Sequence, residues 1–166
     1  MARATTDGII RKAPKGYGTI TAPGNDPYVI AVGATNDKGD YDRANDVITT
    51  YSSKGPTAID HIVKPDLVAP GNRIVAAESP GSALATQYPS NQIPYNSYDP
   101  AGSSGYSPYY LTLSGTSMAA RLVSGAAAML IDQNPAITPD QVKSKLMRTA
   151  WRGFPTTMST ARLPPP

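Results

Sequence analysis

A small hydroxyl residue stands where an irregular stretch gives way to an apolar one, in Leu113-Ser114-Gly115-Thr116-Ser117-Met118-Ala119-Ala120-Arg121. Ser117 at that junction has two readings. In the first turn of a helix the unpaired backbone amides converge with the positive end of the peptide dipoles, and they stabilise an oxygen anion forming beside the hydroxyl. Serine is also among the commonest helix caps, and on position alone the cap reading is the stronger. A serine at its ordinary pKa attacks a carbonyl only with help from an adjacent base, itself oriented by a third group. The chain has one histidine, His61, and an unperturbed imidazole pKa of about 6.5 suits a base at neutral pH. Asp60 is its neighbour, but adjacent side chains rarely face each other well enough to act as base and orienter. Asp66 reads as a support for the turn from Pro65 to Pro70. Arg121, one helical turn beyond Ser117, is long enough to reach an acyl oxygen, although solvation of its head group is the plainer role.

Composition removes other chemistries. The 166 residues include no cysteine and a single histidine, so neither a thiolate site nor a histidine-rich metal site is available, and no cofactor is expected. Fifteen basic and twelve acidic residues give a net charge of +3 without a basic stripe, which argues against nucleic acid as a partner. No GxGxxG or Walker pattern follows a strand-like run. No apolar stretch reaches the roughly 18 residues of a membrane span, and residues 1–16 lack the apolar run of a secretory signal.

The elements that must position Ser117 are legible as alternating β-prone and turn-forming stretches. Tyr28 to Ala34 is a continuous apolar run of the kind found in a parallel-sheet strand buried on both faces. Asp46 to Tyr51, Leu67 to Ala69, Arg73 to Ala77 and Tyr109 to Leu113 read as further strands. Glu78 to Pro108 shows neither period and reads as a long insertion whose tyrosines either pack it onto the body or form an adhesive surface. Apolar residues recur at helical spacing from 117 to about 133 until Asn134-Pro135. Thr138-Pro139-Asp140-Gln141 has the residues of a capping box with proline in the first turn, so a second helix is expected from Pro139 to about Ala150.

Three ordered motifs resemble the subtilases, the subtilisin-like serine peptidases. GTSMAA with Val123, Gly125 and Ala126 resembles their nucleophile segment, GTSMA[AS]P with a V-[AS]-G continuation. Pro23 to Ala34 resembles their PG-x-x-P-x-VI-x-VGA strand. Tyr51 to Pro56 and Lys64 to Gly71 resemble FSS-x-GP and KPD-[LV]-APG. The resemblance covers about residues 17 to 150 and implies a partial subtilisin-like α/β domain with a mostly parallel sheet, flanked by flexible segments at 1–16 and 151–166. It implies Ser117 as the nucleophile and, through its own amide, as an oxyanion donor. Gly115, Thr116 and Arg121 become candidates for substrate binding and His61 a candidate base. The family's aspartate, histidine and oxyanion asparagine lie upstream of the PG-x-x-P strand, and the 22 residues before Pro23 carry no such segments, so the chain looks like the carboxyl-terminal half of a subtilase domain. Arg121 stands where the family has proline.

Two functions follow from the resemblance: a serine hydrolase acting on peptides or esters, or an inactive fragment that serves as an interaction module. Without flanking strands the sheet edge and helix face would be open, so a homo-oligomer or a complementary fragment is the expected partner. The family is commonly secreted.

Overall fold

The computed structural model describes residues 16–101 and 104–153. Apart from Gly16 and residues 151–153, the segments expected to be flexible at either end lie outside the described residues. In chain order the principal elements are β1 (Val32–Asn36), β2 (Val47–Ile48), β3 (Leu67–Pro70), β4 (Ile74–Ala77), α1 (Ala83–Gln87), β5 (Gln92–Pro94), β6 (Tyr106–Leu113), α2 (Thr116–Gln133) and α3 (Pro139–Thr149). They fall into two compact units, one made of the residues up to Asn72 together with those from Gly115 onward, the other of Arg73–Ser114.

In the first unit the sheet order is β2-β1-β3. β1 runs parallel to β3, with Val32 opposite Leu67 and Thr35 opposite Pro70, and antiparallel to β2. Gly33, Ala34 and Thr35 in this central strand are buried, because α2 packs on β1 and β3. The helix contributes Met118, Ala119 and Val123 to a core shared with Ile20, Ala34 and Val142.

Two expectations about this sheet need correction. The strand expected over Tyr28 to Ala34 begins at Val32, and Tyr28 is 84% exposed. The backbone before Val32 is held by side chains in place of a ladder. The Tyr28 amide donates to Asp26 Oδ1, the Pro27 and Val29 carbonyls accept from Lys143 Nζ, and the Ala31 amide donates to Asp66 Oδ2. The sheet is also not mostly parallel. Among the described residues β1 and β3 are the one parallel pair, and the other three pairings are antiparallel.

The second unit is an antiparallel sheet in the order β4-β6-β5. The segment expected to be a structureless insertion carries α1, β5 and short 3-10 turns. Antiparallel pairing needs no crossover helix, which lets a segment this short form a three-stranded sheet. Pro108 lies inside β6, but the β4 ladder stops at Tyr110 and the β5 register shifts between Gln92 and Pro94, so its missing amide falls where pairing is irregular. Tyr98 packs edge-on against Tyr110 at 5.3 Å and tilted against Tyr95 at 6.0 Å, so several tyrosines pack on one another while their rims stay exposed.

α3 forms as its sequence signals. Gln141 N donates to Thr138 Oγ1 at 3.3 Å, and Thr138 N donates to Gln141 Oε1 at 3.0 Å. Both bonds satisfy amides that a helix start leaves unpaired. Thr138→Ala is expected to cost about 1 kcal/mol in thermal or urea unfolding, because the hydroxyl acceptor is lost while Pro139 still sets the first turn.

Candidate functional site

The first turn of α2 holds the candidate residues Thr116 and Ser117. Its N-cap is Gly115, with extended backbone (φ 158°, ψ 162°). The amides of Met118 and Ala119 return to the Gly115 carbonyl at 3.1 and 3.4 Å. Ser117 is therefore the second helical residue and not the cap. Its side chain is exposed, and its hydroxyl makes no hydrogen bond with any of the described residues. The Thr116 and Ser117 amides likewise have no acceptor among the described residues, as helix geometry dictates for a first turn. An open hydroxyl thus stands beside amides able to stabilise negative charge.

Gly71 holds that turn in place. Its amide donates to the Thr35 carbonyl at 2.9 Å, and its own carbonyl accepts from the Gly115 amide and the Tyr51 hydroxyl, both at 2.8 Å. A Cβ at Gly71 would lie 2.7 Å from Ala34 Cβ, 2.9 Å from the Gly115 carbonyl oxygen and 3.3 Å from Ala119 Cβ. No side chain fits there, so the backbone can approach the helix entry directly. Burial pushes the Tyr51 phenol up from its ordinary pKa against a smaller opposing effect from Thr49, so it remains a donor at neutral pH. The turn from Pro65 to Pro70 was visible in the sequence, whereas the roles of Gly71 and Tyr51 as anchors of the helix start were not, because both depend on non-local contacts. Gly71→Ala is expected to destabilise the chain by about 1–3 kcal/mol through overpacking, read by urea unfolding.

A buried charge cluster lies just before β3. Lys64 Nζ is 2.8 Å from Asp66 Oδ2, Lys143 Nζ is 3.4 Å from Asp66 Oδ1, and the Lys64 and Asp66 side chains are almost fully enclosed. Burial pushes the Asp66 carboxyl up, but hydrogen bonds from Lys64 and the Ala31 amide, with the charges of Lys64 and Lys143, outweigh it and hold the group below its ordinary pKa. Asp66 sits at the start of β3 and ties it to the segment before β1 through Ala31.

Gly115, Thr116, Ser117 and Arg121 stand together in the first turns of α2, and Arg121 is exposed one turn after Ser117 on the same face. His61 lies elsewhere in the sequence, exposed at φ 54° in a turn closed by Thr57 N to the Ile62 carbonyl at 2.9 Å and by Ile62 N to Thr57 Oγ1 at 2.7 Å. The Asp60 carboxylate accepts from Thr57 Oγ1. No hydrogen bond joins His61 to Ser117 among the described residues.

The family model for the subtilase family matches residues 12–163. The serine protease AprX of Bacillus subtilis is 38% identical over 128 residues, which is 77% of this chain and 26% of that protein. The subtilisin-like protease SBT4.13 of Arabidopsis thaliana is 36% identical over 112 residues, 67% of this chain and 13% of that protein. Among solved structures, sphericase aligns with a TM-score of 0.54 at 26% identity over 84% of this chain and 37% of its own. The CspB protease of Clostridium perfringens aligns at 0.53 and 29% identity over 82% of this chain and 24% of its own. The chain belongs to the subtilase family, and it spans about a quarter or less of the length of these curated relatives.

Proposed function

We propose that this chain provides the nucleophile segment of a serine peptidase, with Ser117 attacking the carbonyl carbon of a peptide or ester. The single observation that supports this most is an exposed Ser117 hydroxyl beside its own unpaired amide, in a helix turn anchored through Gly71. In the reaction Ser117 Oγ forms a bond to the acyl carbon and yields its proton to a base, while the carbonyl oxygen takes up negative charge facing the Ser117 amide. Collapse of that intermediate expels the amine or alcohol, which takes the proton from the base. Water then attacks the acyl carbon, gives its proton through the base to Ser117 Oγ and releases the acid. Gly115 and Thr116 form the wall beside the scissile bond, and Arg121 contacts the acyl side. Esters are the easier substrates, because an alkoxide or phenolate needs less protonation than an amine on leaving.

A fluorophosphonate probe tests the reading, since phosphonylation of a serine needs an open, activated hydroxyl. The expected result is a single adduct on the peptide containing Ser117. An intact chain that takes up no probe at that residue would refute it. Within this chain His61 is the candidate base. His61→Ala should then slow labelling at Ser117 by about 10²-fold or more. A labelling rate unchanged in His61→Ala would take the base role away from this turn.

A further inference from the structure

We infer that the Tyr51 hydroxyl is a positioning group for Ser117, acting through the Gly71 carbonyl; the inference rests on the reading of Ser117 as the nucleophile. A closed set of hydrogen bonds begins and ends on β1. In the turn after β2, Thr49 N and Thr49 Oγ1 both donate to the Ala34 carbonyl, at 3.0 and 3.1 Å, and the Ala34 amide donates to Ser52 Oγ at 3.1 Å. The Ser52 amide closes the turn on the Thr49 carbonyl at 3.2 Å. Thr49 and Ser52 are 6% and 4% exposed, so two buried side chains clamp the backbone on either side of Tyr51. From that turn the phenol reaches the Gly71 carbonyl at 2.8 Å, and the Gly71 amide returns to the carbonyl of Thr35, the residue after Ala34, at 2.9 Å.

The helix entry hangs on this frame. The Gly115 amide donates to the same Gly71 carbonyl at 2.8 Å. A carbonyl oxygen has two lone pairs, and here one takes the phenol and the other the Gly115 amide, so the oxygen is held from two directions. Gly71 has no side chain of its own to fix it, and its place depends on these bonds. Ser117 is two residues beyond Gly115, and the Met118 and Ala119 amides fasten the first turn back to the Gly115 carbonyl. A shift of Gly115 is therefore passed to the Ser117 hydroxyl and amide together. Misplacing a reacting group by about 1 Å costs about 10²-fold in rate, and the loss of one of two bonds to Gly71 is expected to cost about tenfold. The FSS-x-GP motif has phenylalanine where this chain has Tyr51, so the hydroxyl is this chain's own addition, and Tyr51→Phe removes it while keeping the ring.

The test compares the rate constant and end point of fluorophosphonate labelling at Ser117 in wild type and Tyr51→Phe, with residue-resolved amide hydrogen exchange on both. The expected result is labelling about tenfold slower that still reaches the wild-type end point. The Gly115 amide should exchange about tenfold faster while the Ala34 and Thr49 amides keep their rates. A role in stability alone would lower the end point or speed all buried amides together. Thr49→Val keeps the amide bond to Ala34 but loosens the clamp beside Tyr51, so it should give the same selective pattern at smaller amplitude and stands in if Tyr51→Phe does not fold. A labelling rate constant that neither variant changes overturns the inference, and so does slowing that comes with uniformly faster exchange. A wild type that takes up no probe refutes the nucleophile reading, and Gly115 exchange then decides alone. Selective acceleration in Tyr51→Phe upholds Tyr51 as the holder of the turn, and unchanged exchange overturns it.

Discussion

Ser117→Ala is expected to remove probe labelling entirely and to lower the hydrolysis of p-nitrophenyl esters by about 10³-fold or more, with any residual rate carried by binding and the unpaired amides alone. The same substitution should leave stability almost untouched. The hydroxyl it removes is exposed and bonds to no described residue, and alanine is at least as good a helix former as serine. An unfolding midpoint within about 0.5 kcal/mol of wild type is therefore the expected companion result. That separation between activity and stability is what a nucleophile predicts and a helix cap does not. A capping serine would show the reverse, with about 1 kcal/mol lost in unfolding and no effect on chemistry. Ester hydrolysis that survives the substitution at its full rate would place the chemistry somewhere other than Ser117.

The two long helices of this fold were legible because their signals are local. The Thr138 to Gln141 capping box and the apolar spacing after Ser117 each specify a helix without reference to the rest of the chain, and both helices lie within a residue or so of where those signals put them. The sheets were less legible, since pairing direction is set between segments distant in sequence. Tyr28 to Ala31 has the composition of a strand, but its carbonyls and amides are claimed by Lys143 and Asp66, residues far along the chain whose reach no local pattern reveals. The segment from 78 to 105 lacks any period because α1, β5 and the turns between them are each too short to show one. At the site, the position of Ser117 could be read from its letters. Its release from capping could not, since Gly115 takes the cap while the Gly71 carbonyl takes the Gly115 amide.

Lys64→Ala should be among the most destabilising single substitutions in the chain, at about 3–5 kcal/mol. The argument rests on what is left behind. Asp66 is buried, and its Oδ2 atom receives both Lys64 Nζ and the Ala31 amide at 2.8 Å. Removing Lys64 leaves that oxygen with the amide alone, while Lys143 stands farther off, at 3.4 Å from the other oxygen, and divides its donors with the Pro27 and Val29 carbonyls. An underpartnered buried carboxylate is the costly case, so Lys64→Met combined with Asp66→Asn should be less destabilising than Lys64→Ala despite changing two residues. The pH dependence gives an independent reading. In the folded wild type the Asp66 carboxyl is held below its ordinary value, burial notwithstanding, by Lys64, the Ala31 amide and Lys143. Its folded pKa lies below the unfolded value of about 3.9, so its contribution is fully present above about pH 4–5 and is lost as pH falls through the folded pKa. Without Lys64 the burial effect is opposed by less, the folded pKa rises, and urea unfolding followed from pH 7 to pH 3 should show less acid-dependent loss in Lys64→Ala than in wild type. Parallel pH profiles for the two proteins would mean that Asp66 draws its low pKa from somewhere other than Lys64.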